Sequence, residues 1–116
     1  MLLFVYGTLK SGQPANHHLS GAKLVGPAVT APKYRLYDMG WHPAMVWDDA
    51  HGLAVEGEVW DVPADLVPAL DEYESVPEGF VRQAIEVPGA VGEVQAYLFA
   101  RPVPRGARSG PRWPFG

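Results

Sequence analysis

Leu2-Leu3-Phe4-Val5-Tyr6 runs directly into Gly7-Thr8-Leu9-Lys10-Ser11-Gly12, and the remainder of the chain is organised around this stretch. The consecutive apolar and aromatic residues predict a strand buried on both faces. Gly7 ends it. Without a Cβ, its backbone can take positive φ or admit a ligand close to the main chain. N–H groups leaving a strand at such a turn often point into a concavity, where they bind an anion or a developing oxyanion. The plain alternative is an ordinary strand-to-loop turn. A phosphate-binding loop does not fit: Gly7 and Gly12 have the right separation, but Gln13-Pro14 follows where that motif needs Lys-Ser/Thr.

Working outward, Gln13 to Leu19 is polar with a Pro and predicts a loop or short helix. Ala22 to Thr30 predicts a strand with a bulge or break at Gly26-Pro27. Tyr34 to Met39 alternates as a second antiparallel strand, and Gly40-Trp41-His42-Pro43 forms an aromatic loop before a short strand ending at Trp47. From Leu53 to Val62, Leu53, Val55, Gly57 and Val59 share one face, and Ala54, Glu56, Glu58 and Trp60 the other. Pro63 to Glu74 is the one strong helix, with Pro68 requiring either a late start or a distorted first turn. Phe80 to Val87 and Glu93 to Phe99 form strands of a hairpin turning through Pro88-Gly89. Strands outnumber helices and turns are short, which predicts an α+β fold: a small, mostly antiparallel, barrel-like sheet with one main helix.

The chain has 116 residues, enough for a single core without staples. It divides into a body over residues 1–100 and a Pro/Gly/Arg-rich tail over 101–116, expected to be mobile or draped on the body. There is no Cys, hence no disulfide, thiolate nucleophile or Cys-based zinc site, which suits a reducing cytoplasm. No apolar run approaches the ~20 residues that span a membrane. The net charge is −4; Arg101, Arg105, Arg108 and Arg112 make the tail +4 and leave the body at −8. Nucleic-acid binding by the body is therefore disfavoured, whereas the basic tail could serve as an adaptor for acidic partners.

Glu74 is the residue that helical geometry singles out. At ~100° per residue it lies ~40° round from Leu70 and ~80° from Leu66, inside the apolar stripe. Asp71 and Glu72 fall ~100° and ~200° from Leu70, towards the side and back. A carboxylate aimed at a core must be paired, protonated or open into a cavity, and burial would raise its pKa towards that of a base working near neutrality. Otherwise a frayed last turn releases it to solvent, or Arg82 pairs with it. His17, His18, His42 and His51 show no metal-ligand spacing and are expected on the surface or in loops. Thr8 and Ser11 have no base placed beside them by sequence. Trp41, Trp47 and Tyr97 could each line a pocket, with an aromatic core the default expectation; Tyr97, in the last strand, is the best pocket candidate.

Tyr6-Gly7-Thr8-Leu9-Lys10 resembles the opening motif of the γ-glutamylcyclotransferase-like (AIG2-like, γ-glutamylamine cyclotransferase) family, and Leu70-Asp71-Glu72-Tyr73-Glu74 resembles its Leu-Asp-x-x-Glu motif. The resemblance covers roughly residues 1–100. It implies a small mixed barrel with its pocket at one end of the sheet, and release of 5-oxoproline from a γ-glutamyl amide. It further implies Glu74 as acid/base, glutamyl binding by Tyr6, Gly7, Thr8 and Leu9, and no metal or organic cofactor. The chain departs from the family where Ser75 replaces a usual Gly and Phe80 a frequent Tyr. The substrate is left open among γ-glutamyl amino acids, γ-glutamylamines and γ-glutamyl-tagged metabolites. The alternative from another class is a non-catalytic binding module on the same fold.

Overall fold

The computed structural model describes residues 1–115. The strands are β1 (Leu2–Val5), β2 (Lys23–Asp38), β3 (Pro43–Trp47), β4 (Leu53–Asp61), β5 (Phe80–Ile85), β6 (Val94–Phe99) and β7 (Ser109–Gly110), with one α-helix, α1 (Val67–Tyr73). They form one sheet in the order β3-β2-β4-β1-β6-β5, with β7 added to β2. Every pairing is antiparallel except β1 with β6. The sheet curls into a half-barrel, bringing β3 against β6, and α1 covers one side of β1.

β1 is central because both of its faces are buried. Phe4 packs inside the curl with Tyr34, Leu36, Met45 and Val55, and Tyr6 just beyond the strand joins them. Leu3 and Val5 point the other way, beneath Leu70 of α1 and beside Tyr97 of β6. Burying side chains of this size contributes about 1.5–3 kcal/mol each, so β1 is the anchor of two clusters at once. The strand can approach β4 this closely because Gly57 has no side chain: a Cβ there would lie 2.3 Å from the Val5 carbonyl oxygen and 2.7 Å from the Phe4 ring.

β2 is a single sixteen-residue strand where two were expected. Its pairing with β4 shifts register between Leu24 and Gly26, at the expected Gly-Pro break, and twice more between Val29 and Tyr34. These irregularities bend the strand instead of ending it, and so curl the sheet. In β4, Val55 and Val59 are buried while Ala54 and Glu56 are exposed, following the expected alternation.

The helix begins with a 3₁₀ turn over Ala64–Leu66, and Pro68 lies in the first turn of α1, where its missing N–H has no helical acceptor to lose. The C-terminal segment is draped over the body. Asp38 N–H bonds the Arg108 carbonyl at 2.8 Å, β7 pairs with Leu36–Tyr37, and Glu56 N–H bonds the Pro111 carbonyl at 2.8 Å. Trp113 and Phe115 then pack on the inner cluster. Sequence periodicity cannot reveal a strand of two residues. No helix among the described residues is long and apolar enough to cross a membrane.

Candidate active site

Leu70 is almost fully buried, so α1 is fixed in rotation and Glu74, one turn on, faces the same way. The helix ends in a Schellman motif: Ser75 N–H bonds the Glu72 carbonyl and Val76 N–H the Asp71 carbonyl, both at 3.0 Å. Ser75 takes the left-handed conformation this requires (φ 54°), which is why glycine suits the position. The last turn is therefore tied down, and Glu74 is not released to solvent by fraying.

Glu74 lines a cavity of about 280 Å³ at one end of the half-barrel, together with Tyr6, Gly7, Thr8, Leu9 and Tyr97. Its carboxyl makes no hydrogen bond or ion pair to any other described residue. Burial alone pushes its pKa from 4.5 to about 7. Arg82 does not pair with it. That guanidinium instead grips Asp71, with Nε to Oδ1 at 3.0 Å and Nη2 to Oδ2 at 3.2 Å, and Nη1 reaches Gln95 Oε1 at 2.5 Å. The hydrogen bond from Arg82 holds the Asp71 carboxyl below its ordinary pKa. Asp71 also accepts the Tyr97 hydroxyl at 2.7 Å, so this side-facing acid ties α1 to β5 and β6.

The turn after β1 uses its carbonyls and leaves its N–H groups. Lys10 N–H bonds the Gly7 carbonyl, Ala15 N–H bonds that of Thr8, and the Asn16 side-chain amide bonds that of Leu9. The N–H groups of Gly7, Thr8 and Leu9 have no protein acceptor among the described residues and sit on the cavity lining. Such a run of unengaged donors suits a carboxylate or an oxyanion.

Of the two reasons expected for glycine at position 7, positive φ does not hold: its φ is not in that range, and Pro43 fills the space a side chain would need. Tyr6 and Tyr97 contribute ring surface, because both hydroxyls are already used. Tyr6 Oη donates to the Tyr97 carbonyl at 2.5 Å, and burial raises both phenol pKa values. Thr8 lines the cavity, whereas Ser11 is bound to Glu58 outside it.

Trp41 and Trp47 are not core residues. Trp47 is exposed and edge-on to Tyr34, and Trp41 is 71% exposed at the cavity mouth. His42, Pro43, Phe80 and Phe99 also line the cavity and were missed from sequence. The loop and the hairpin that carry them are remote in the chain, and no spacing rule joins them. The Phe-for-Tyr departure at position 80 was the one available signal. A wider concavity of about 780 Å³ on the β2–β4 side has Glu56 as its sole ionisable lining residue and offers no comparable chemistry. No cluster of metal-ligating side chains occurs among the described residues.

The family model for "Gamma-glutamyl cyclotransferase, AIG2-like" matches residues 3–114. A putative γ-glutamylcyclotransferase of Vibrio cholerae is 38% identical over 96 residues, covering 83% of this chain and 81% of the relative. A γ-glutamylaminecyclotransferase of Bos taurus is 36% identical over 107 residues, covering 84% of this chain and 63% of the relative. The crystal structure of an AIG2-like protein from Mus musculus superposes with a TM-score of 0.79 at 28% identity, covering 89% of this chain and 79% of that one. With these matches spanning both the turn after β1 and the end of α1, the chain belongs to the AIG2-like γ-glutamyl cyclotransferase family of enzymes.

Proposed function

We propose that this protein releases 5-oxoproline from a γ-glutamyl amide by intramolecular aminolysis, with Glu74 as acid and base. The observation that carries the reading is an unpaired carboxyl with a pKa of about 7, in the same cavity as three unengaged backbone N–H groups. The substrate's α-amine attacks its own γ-carbonyl carbon, a new C–N bond closes the five-membered ring, and the original amide C–N bond breaks. Both reacting groups belong to one molecule, so folding the substrate in the cavity supplies much of the rate through proximity.

At neutral pH the attacking amine is an ammonium. The ammonium gives up one proton to become the nucleophile and a second as the ring closes; Glu74 takes each in turn and passes it to the departing nitrogen, which leaves as an ammonium, a role worth ~10²–10⁴-fold. A carboxyl of ordinary pKa would be a weaker base; one near 7 is matched to the task. The N–H groups of Gly7, Thr8 and Leu9 hold the oxygen that becomes negative, each donor being worth roughly 10²-fold or more. Tyr6, Leu9 and Tyr97 supply apolar walls against the glutamyl carbons.

The test is to incubate the protein with a panel of γ-glutamyl amides and measure 5-oxoproline, then repeat with Glu74→Gln. Turnover abolished by that change supports the mechanism. Ligand binding without turnover on any compound would favour the non-catalytic module.

A further inference from the structure

The inner part of the cavity is lined by fully buried groups such as Phe4, Val5 and Leu9, and the half-exposed and exposed lining residues mark its mouth. That mouth carries a continuous aromatic wall. Trp41 stands edge-on to His42 with ring centres 4.3 Å apart, His42 to Phe80 is 6.1 Å, and Phe80 to Phe99 is 5.4 Å and again edge-on. Two remote segments build it, the loop before β3 and the β5–β6 hairpin. Phe80, as a phenylalanine, adds no polar atom to the wall.

The charge inventory points the same way. No Arg or Lys lines the cavity, and Glu74 is its one carboxylate. The nearby cations are committed elsewhere: Arg82 to Asp71 and Gln95, and Lys10 to the Trp113 carbonyl. A leaving group bearing a carboxylate would find no Arg or Lys counter-ion here and a like charge in Glu74. An aromatic ring would find an edge-and-face partner surface, since aromatic pairs attract beyond the area they bury. Trp41, 71% exposed at the cavity mouth, leaves most of its indole surface uncovered.

Building on the cyclisation reading, we propose that the mouth is a leaving-group subsite for an arylalkyl amine without a carboxylate, so that the preferred substrates are γ-glutamyl arylalkylamides. In the balanced step the α-amine displaces the arylalkyl amine from the γ-carbonyl. The two protons lost as the α-ammonium becomes the lactam N–H leave on the departing nitrogen as an ammonium, and no co-reactant is consumed. The glutamyl half occupies the inner cavity at Gly7–Leu9 and Glu74, and the aryl ring lies against the wall formed by Trp41, His42 and Phe80.

The test compares kcat/KM for three compounds by 5-oxoproline release: the γ-glutamyl amides of phenethylamine, of alanine and of 1,4-diaminobutane. The expected order places phenethylamine about tenfold or more above alanine, and above the diamine. Trp41→Arg, at an exposed position that tolerates the change, should shrink the phenethylamine-to-alanine ratio at least about tenfold by adding a cation and removing the indole. Equal or better turnover of the alanine or diamine compound overturns the proposal, as does a ratio unmoved by Trp41→Arg, and both leave the cyclisation reading intact. Absence of 5-oxoproline from all three compounds overturns the cyclisation reading and this subsite with it.

Discussion

Pro43 packs so closely on Gly7 that a Cβ built on the glycine would fall 2.5 Å from Pro43 Cγ and 2.7 Å from Cδ. The loop bearing the mouth residues is thus seated on the turn bearing the free N–H groups. Gly7→Ala should displace one or the other, destabilise the fold by about 1–3 kcal/mol and reduce kcat/KM by at least roughly 100-fold. Adding Pro43→Ala removes both clashing atoms and should restore much of the stability. Thermal unfolding of the two single variants and the double variant checks this, because simply additive losses would place the strain elsewhere.

Glu74→Gln keeps the shape and removes the charge. Turnover should fall by ~10²–10⁴-fold. Stability should move the opposite way. With its pKa near 7 in the fold against 4.5 when exposed, Glu74 keeps its proton in the native state after the unfolded chain has lost it. Stability is therefore full below about pH 4.5, declines as pH rises, and is lowest above about pH 7. At pH 8 the variant should gain about 2–3 kcal/mol over the parent, and at pH 4 almost nothing. Denaturant titrations at the two pH values measure the difference.

The same titration should appear in catalysis. If Glu74 is the base, kcat/KM rises with pH through an apparent pKa of about 7 in the free enzyme. A rising limb near the ordinary carboxylate value would show that the working base is another group, or that Glu74 is better hydrated than its surroundings dictate.

Ser75 holds a left-handed backbone conformation at the end of α1. Ser75→Gly should stabilise the protein by about 0.5–1 kcal/mol, since glycine carries no Cβ penalty there. The expected rise in Tm is a few degrees for a domain of this size, with the pH profile of turnover unchanged.

Asp71→Asn breaks the paired contact with Arg82 and weakens the bond from the Tyr97 hydroxyl. The pair is about a quarter exposed on each side, so solvent screening limits the loss to about 1–2 kcal/mol. The depressed Asp71 pKa means this stabilisation is present above the ordinary carboxylate range and lost as pH falls. The stability gap between parent and variant should close in acid, which a pH series of unfolding curves records.

Local pattern alone determined a good part of this protein. The doubly buried first strand, the alternation of β4 and the inward direction of Glu74 follow from apolar runs and periods of two and 3.6 residues, and the irregularity at Gly26-Pro27 from its Gly and Pro; each is present in the fold, the last as a register shift within β2. Tertiary structure decided what depends on distant meetings. Pro43 on Gly7, Arg82 on Asp71 in place of Glu74, the two-residue strand that seats the C-terminal segment, and the Trp41–Phe80 wall each join segments that no local period connects. The physical reason is that a side chain's face is set by its neighbours in sequence, whereas the partner across that face is set by how the sheet curls.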